Sequence, residues 1–222
     1  MRRYLWLKAR WPISMRVLAK RLQSKAFDGE QTEGFVLDRV REDYIEARFV
    51  EKVEYDDTVV DPFGVETSYR RIEYRKCEFK AMLQGPGLEL VDAPRGVQTM
   101  VSRLAEATDF ALAISPITVN VLTWAANIQR QLNTVGVIDT LQVGSVELAP
   151  GVHAKAVIKG STDILSATET LIHGKKHVIE KAQIRFAGPR SVAVLLTSGG
   201  AARFDQEPSP ELIGVVRFSL PL

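Results

Sequence analysis

The sequence predicts an α+β fold with mainly antiparallel sheet, three helices and a long β-hairpin extension. Two patterns carry this prediction: many short segments alternate apolar and polar residues, and three segments place apolar residues at helical spacing. The order of the segments fits two ferredoxin-like split β-α-β lobes, at residues 1–136 and 137–222. One continuous domain with a curved sheet is the alternative, because no residue-level repeat relates the two halves.

The first predicted elements are a strand and a helix. Residues 3–11 read as a strand that Pro12 ends, and Ser14 is placed to be the N-cap of the helix that follows. Arg16, Lys20 and Arg21 lie off the apolar stripe of this helix, so we expect a basic face in solvent. The apolar stripe consists of Met15, Leu18, Ala19 and Leu22.

A long hairpin is predicted next. Residues 45–55 alternate as a half-buried strand, and the returning strand covers about 68–83. The apolar positions of the returning strand change from even to odd numbers after Tyr74, which predicts a β-bulge there. The connection, residues 56–67, is acidic, and we expect a loop.

Two further helices and several strands complete the prediction. The second helix starts near Asp92 and Pro94, and the third begins near Ser161 or Thr162 and stops at Gly174. The remaining segments are interpreted as strands, with a short turn of helix near the end of the first of them. They are residues 110–129, 141–148, 153–159, 177–186, 191–196 and 213–220.

Composition excludes several classes of protein. The chain has 222 residues, 45% of them hydrophobic, and a net charge of +2, which argues against intrinsic disorder. The single cysteine, Cys77, cannot form an intrachain disulfide, and this favours a reducing, cytoplasmic location. Cys77 itself is expected to be a buried structural thiol rather than a nucleophile. No nucleotide-binding or dinucleotide fingerprint occurs, so the sequence predicts no cofactor.

A membrane location is not expected. The stretch from Phe110 to Gln129 has no charged residue and is long enough to span a bilayer. Polar residues and Pro116 interrupt it every two or three positions, so it offers no continuous lipid-compatible face.

The positive charges concentrate at one end of the sequence. Residues 2–25 contain eight basic side chains and no acidic one, and Tyr4, Trp6 and Trp11 lie among them. This mixture is typical of surfaces that bind phosphates and stack unpaired bases. The predicted nucleic-acid-binding residues are Arg2, Arg3, Lys8, Arg10, Arg16, Lys20, Arg21 and Lys25.

A second region is almost free of charge. Between Phe110 and Val146 only Arg130 and Asp139 are charged, so this segment is either central core or a surface covered by a partner. Trp124 with its polar neighbours favours the rim of an interface with a protein partner or a second copy of the chain.

The histidines give only a weak indication of chemistry. His173 and His177 are four residues apart, but Gly174 is expected to end the helix between them, so the sequence predicts no metal site. His153 or His173 could act as a general base in metal-independent RNA cleavage, although nothing in the sequence selects either.

Together these patterns predict a non-catalytic subunit of a prokaryotic assembly. The basic N-terminal face would contact nucleic acid, and the low-charge segment would contact a partner protein. A metal-independent ribonuclease, or an enzyme that binds a phosphorylated ligand, is one alternative. A protein-only scaffold or inhibitor is the other.

Overall fold

A computed structural model describes residues 1–94, 96–188 and 191–222. These residues form an α+β fold, rich in antiparallel sheet, with eleven strands and five helices. The expected fold class is therefore confirmed, whereas the expected number of three helices is too low. Within the described ranges, no helix is both long and apolar enough to cross a membrane.

The elements follow one another without a simple repeat. In chain order they are β1 (Arg2–Arg10), α1 (Met15–Gln23), β2 (Glu33–Val40), β3 (Tyr44–Val60), β4 (Glu66–Met82), β5 (Gly87–Val91), α2 (Gln98–Glu106), β6 (Ala113–Pro116), α3 (Val121–Leu132), β7 (Gly136–Ala149), β8 (Val152–Lys159), α4 (Leu165–Ile172), β9 (His177–Phe186), β10 (Val192–Thr197), β11 (Ala201–Phe204) and α5 (Pro210–Phe218).

The chain forms two compact units, and each draws on separated segments. Unit 1 consists of Met1–Ala9, Gln84–Asp92 and Ala113–Leu222. Unit 2 consists of Arg10–Leu83 and Ala93–Leu112. The two lobes expected at 1–136 and 137–222 are, in contrast, continuous stretches of the sequence. This division of the chain stays a prediction.

Unit 1 is an antiparallel sheet with three helices. Its strands lie in the order β5-β1-β11-β10-β9-β7-β8, and β6 pairs with β1. Two tryptophans occupy its core: Trp6 of β1 and Trp124 of α3 are fully buried, with ring centroids 5.8 Å apart and planes at 78°. Trp124 Nε1 donates to the Val216 carbonyl oxygen of α5 over 2.8 Å, so α3 and α5 are joined within the core.

Unit 2 packs helices against the strands β2-β3-β4. Its core contains three phenylalanines: the Phe35 ring lies 5.1 Å from Phe49 and 6.0 Å from Phe79. Helix α1 packs on β2 and β3. The helices contribute the buried side chains Met15, Leu18, Leu22, Met100 and Leu104.

The hairpin of β3 and β4 is longer and more regular than expected. Its pairing runs from Tyr44 opposite Met82 to Val60 opposite Glu66 without a shift of register, so the predicted bulge is wrong. The apolar residues that suggested a change of face, Ile72 and Tyr74, are 46% and 49% exposed and do not belong to the core.

The predicted loop of residues 56–67 is mostly strand. Only the turn between Val60 and Glu66 leaves the ladder, and Asp61 Oδ1 organises it by accepting hydrogen bonds from the amides of Phe63 and Val65, both over 2.8 Å. The Phe63 ring at this turn is 92% exposed.

Two predicted strand segments contain helices instead. Helix α3 begins after Asn120, whose Oδ1 accepts from the amides of Leu122 and Thr123, and its buried residues have helical spacing. Helix α5 begins after Ser209, with Pro210 in its first turn. The expected strand at 213–220 is therefore corrected, because residues 210–218 are helical.

The other helices follow their sequence signals. Ser14 caps α1 by accepting a hydrogen bond from the Val17 amide, as expected. Helix α2 begins a few residues later than predicted. Helix α4 ends at Ile172, shortly before Gly174, whose φ of 69° is the left-handed conformation that favours glycine.

Candidate nucleic-acid interface

Strand β1 buries the aromatic rings that were expected to stack on bases. Tyr4 is 6% exposed and Trp6 is fully buried. Trp6 Nε1 donates to the buried Glu89 carboxylate over 2.7 Å. Burial, followed by the negative charge of Glu89, raises the pKa of Tyr4 to about 12. The expectation of stacking platforms is therefore wrong for both residues, because they belong to the core of unit 1.

The cations of β1 differ in their surroundings. Arg2 lies between two carboxylates, with Nη1 3.3 Å from Asp92 Oδ2 and Nε 3.2 Å from Glu207 Oε1. The Arg3 backbone amide donates to Asp92 Oδ1 over 2.8 Å. Lys8 is exposed, and among the described residues no carboxylate forms an ion pair with it. Lys8 is therefore open to a phosphate, as is Arg10 at the end of the strand.

Helix α1 presents part of the predicted basic face to solvent. Its buried stripe leaves Arg16 and Lys20 exposed, four residues apart and hence on one side of the helix. Arg16 Nη2 lies 2.6 Å from Glu42 Oε1, and the two side chains are 73% and 83% exposed. In the described part of the chain, Lys20 has no ion-pair partner. The Arg16 guanidinium group and the Lys20 ammonium group are therefore both open to solvent.

Arg21 and Lys25 instead join α1 to the end of α2. Arg21 Nη1 donates to the Ala107 carbonyl oxygen over 3.0 Å and to Asp109 Oδ2 over 2.6 Å. Lys25 Nζ donates to Glu106 Oε2 over 3.1 Å. The hydrogen bonds from Arg103, and then from Lys25, lower the pKa of Glu106. These two cations therefore have a structural role within unit 2.

The eight predicted residues do not form one group. Arg2, Arg3 and Lys8 belong to unit 1, and the other five belong to unit 2. Within unit 2, Arg10, Arg16 and Lys20 are exposed, whereas Arg21 and Lys25 are partly covered. We call Arg10, Arg16 and Lys20 the exposed basic set of unit 2.

The chain matches no protein-family model and no curated protein. Its function is therefore inferred from its own residues.

The hairpin adds an aromatic and basic cluster that the sequence prediction missed. The Arg71 and Arg75 guanidinium carbons lie 5.2 and 5.9 Å from the Tyr55 ring centroid. Arg71 also forms an ion pair with Asp57 over 3.3 Å. The signal for this cluster is the register, which places Tyr55 opposite Arg71. The sequence prediction ended the first strand at residue 55 and placed residues 56–67 in a loop, so it did not determine this register.

The buried residues of the low-charge segment contribute mainly to the core of unit 1. Trp124, expected at an interface rim, is fully buried, and Asn127 Nδ2 donates to the Ser219 carbonyl oxygen over 3.1 Å. Other positions of the segment are exposed: Phe110 of unit 2 is 76% exposed, and Val135 of unit 1 is 87% exposed. A protein interface within Phe110–Val146 would therefore use these exposed residues and not Trp124.

The three histidines lie in unit 1 and are all exposed. His153 Nδ1 lies 3.1 Å from Ser145 Oγ. His177 Nδ1 lies 2.9 Å from the Lys175 carbonyl oxygen. His173 directly follows α4. His173 and His177 both line one cavity, whereas His153 does not.

The Cys77 thiol is buried in the β4 strand, and we expect it to be unreactive in the folded protein. It is 4% exposed, and burial, followed by the charges of Glu51 and Glu78, raises its pKa to about 11. At pH 8 the thiol is therefore protonated, and we expect a thiol reagent to modify it only after denaturation.

The measurement is the rate of reaction with a disulfide reagent at pH 8, with and without denaturant. Because the folded-state pKa lies above the unfolded value, the stability contributed by this thiol is present at pH 8 and is lost as pH rises toward 11. Rapid modification of the native protein at pH 8 would contradict the structural role of Cys77.

Proposed function

We propose that the chain is a non-catalytic subunit of a prokaryotic, cytoplasmic assembly and contacts nucleic acid through its basic N-terminal residues. The observation that carries the proposal is the exposed side of α1, which presents Arg16 and Lys20 without an acidic residue in the helix. Arg10 adds a third exposed cation in unit 2. Such a surface suits the sequence-independent binding of phosphates.

The ion pairs at this surface do not oppose the proposal. Arg16 and Glu42 are both largely exposed, and pairs of this kind contribute little to stability because water screens them. A phosphate can therefore replace the carboxylate at low energetic cost. The Tyr55 cluster on the hairpin would supply guanidinium groups and an aromatic ring to the same ligand class.

A partner protein would contact the exposed part of Phe110–Val146. A second copy of the chain could take the place of the partner protein at these residues.

The proposal also keeps the arrangement of the sheet as two ferredoxin-like split β-α-β lobes, divided between residues 136 and 137.

Nucleic-acid binding is expected to depend on the exposed basic set of unit 2. We expect the variant Arg10→Gln, Arg16→Gln, Lys20→Gln to bind at least about tenfold more weakly at low salt. The slope of log affinity against log salt should fall by about one for each lost phosphate contact. The measurement is the anisotropy of labelled single-stranded RNA, single-stranded DNA and duplex DNA at about 50 and 200 mM salt.

The control variant removes the same number of charges elsewhere: Arg130→Gln, Lys159→Gln, Lys176→Gln. These three side chains are exposed and lie in unit 1. We expect the control to retain most of the affinity and the salt slope. Equal losses in the two triple variants, or no binding of any probe by the native chain, would overturn the proposal.

The alternatives predict other outcomes in the same experiment. A metal-independent ribonuclease would shorten the RNA probe, and a change at His153, His173 or His177 would stop cleavage while binding remained. An enzyme for a phosphorylated ligand would bind phosphate without a preference for polymers. A protein-only scaffold or inhibitor would show no salt-sensitive affinity for any probe.

A further inference from the structure

A cavity of about 450 Å³ lies in unit 1 beside α4, where β7, β9 and α3 also contribute to its wall. Its volume falls in the range of small-molecule sites, which are mostly apolar with a few polar groups. We call the apolar lining residues of the cavity its floor. They are Leu122, Leu141, Leu165, Ile172 and Ile179.

One polar group in the cavity wall has no partner. Thr168 of α4 is 2% exposed, and its Oγ1 makes no hydrogen bond within the residues that the structure describes. Thr170 of the same helix is exposed and donates its hydroxyl to the Ser166 carbonyl oxygen over 3.0 Å. Buried polar groups are nearly always paired, so the unpaired Thr168 hydroxyl is an exception, and its oxygen lies behind the cavity surface.

Basic side chains gather where α4 ends and β9 begins. His173, Lys175 and His177 line the cavity there, and Glu169 is the acidic residue among the lining residues. His177 Nδ1 donates to the Lys175 carbonyl oxygen, because a carbonyl can only accept. This bond orients the ring and places its proton on Nδ1, so Nε2 can donate to an anion only when the imidazole is protonated. Lys175 Nζ donates to the Leu171 carbonyl oxygen over 3.2 Å and has further protons to donate.

We propose that this cavity binds an amphipathic organic anion. The apolar body of the ligand lies on the leucine and isoleucine floor, which removes that surface from water. Its anionic head group lies at His173, Lys175 and His177, where a charge-assisted hydrogen bond from Lys175 is available. This site is independent of the proposed nucleic-acid surface.

Decanoate is a suitable probe because it joins a linear apolar chain to a carboxylate. We expect titration calorimetry of the full chain with decanoate to show saturable binding at one site. The uncharged 1-decanol should bind about tenfold more weakly, because it lacks the charge-assisted contact. Inorganic phosphate should not bind measurably, because it lacks the apolar body.

Matched variants separate the head-group site from general charge effects. Lys175→Gln should weaken decanoate binding about tenfold. Lys176→Gln changes the neighbouring exposed charge, which does not line the cavity, and should leave affinity unchanged. If the two variants lose affinity equally, or if decanol binds as tightly as decanoate, the head-group assignment is overturned.

A second pair of variants tests the cavity itself. Leu165 is 37% exposed at the cavity, and Leu165→Trp should fill it and abolish binding. Leu171 is 51% exposed on the same helix but does not line the cavity, so Leu171→Trp should bind normally.

Thr168→Val keeps a side chain of similar shape and provides a variant that does not depend on filling the cavity. It should raise the Tm of the free protein, because it removes an unpaired buried hydroxyl, and it should leave decanoate binding unchanged, because that hydroxyl does not reach the cavity. No saturable binding of decanoate to the native chain, or undiminished binding in Leu165→Trp, would overturn the proposal.

Discussion

Replacing Arg217 with methionine is expected to lower the free energy of unfolding by about 3–5 kcal/mol, because it leaves a buried carboxylate without its positive partner. Glu89 is 5% exposed, and its Oε2 accepts hydrogen bonds from Trp6 Nε1 at 2.7 Å and from Arg217 Nη1 at 2.9 Å. The Arg217 side chain is itself only 13% exposed. Water therefore cannot readily replace the lost guanidinium.

Chemical denaturation followed by circular dichroism measures this effect. The double variant Glu89→Gln, Arg217→Met removes both charges and keeps an amide oxygen for Trp6, so we expect it to recover most of the lost stability. Arg203→Met, which changes an exposed arginine of β11, is the control and should cost less than about 0.5 kcal/mol. A cost below about 1 kcal/mol for Arg217→Met alone would show that the carboxylate is not effectively buried.

The second large effect is expected at Trp124. We expect Trp124→Ala to destabilise the protein by about 3–5 kcal/mol, because it opens a cavity in the core of unit 1 and removes the ring that packs on Trp6. It also leaves the Val216 carbonyl oxygen without the indole donor. Trp124→Phe should cost less, because it keeps most of the apolar volume and loses the hydrogen bond.

The same denaturation experiment distinguishes these contributions. Thr123→Ala, at an exposed position of the same helix, should change stability by less than about 0.5 kcal/mol. If Trp124 instead belonged to the rim of a protein interface, Trp124→Ala would leave the stability of the isolated chain nearly unchanged.

The sequence predicts the fold class well where local signals agree. Ser14 and the apolar stripe of α1 determine a helix, and the alternation in the hairpin determines its strands. The sequence predicts only a short turn of helix where α3 lies, because polar residues interrupt the helical spacing of its apolar ones. Helix α5 was missed because Ile213 and Val215 favour strands, whereas the Ser209 cap and tertiary packing determine a helix.

The candidate interface was less predictable, because the partners of its cations are distant in sequence. Arg2 lies beside Asp92 and Glu207, and Arg21 lies beside Asp109. A count of charges within residues 2–25 cannot show which of them are already paired. The cavity beside α4 could not be predicted from the sequence either, because its lining residues come from α3 and from three later elements.

The pairing of β1 has a consequence for how the protein folds during its synthesis. Arg2 of β1 pairs with Phe204 of β11, about 200 residues later. A ribosome adds about 5–20 residues per second, so β1 waits on the order of ten seconds or more for this partner. During that interval the edge of β1 that pairs with β11 is unpaired. That edge is therefore open to pairing with other strands until translation has passed β11.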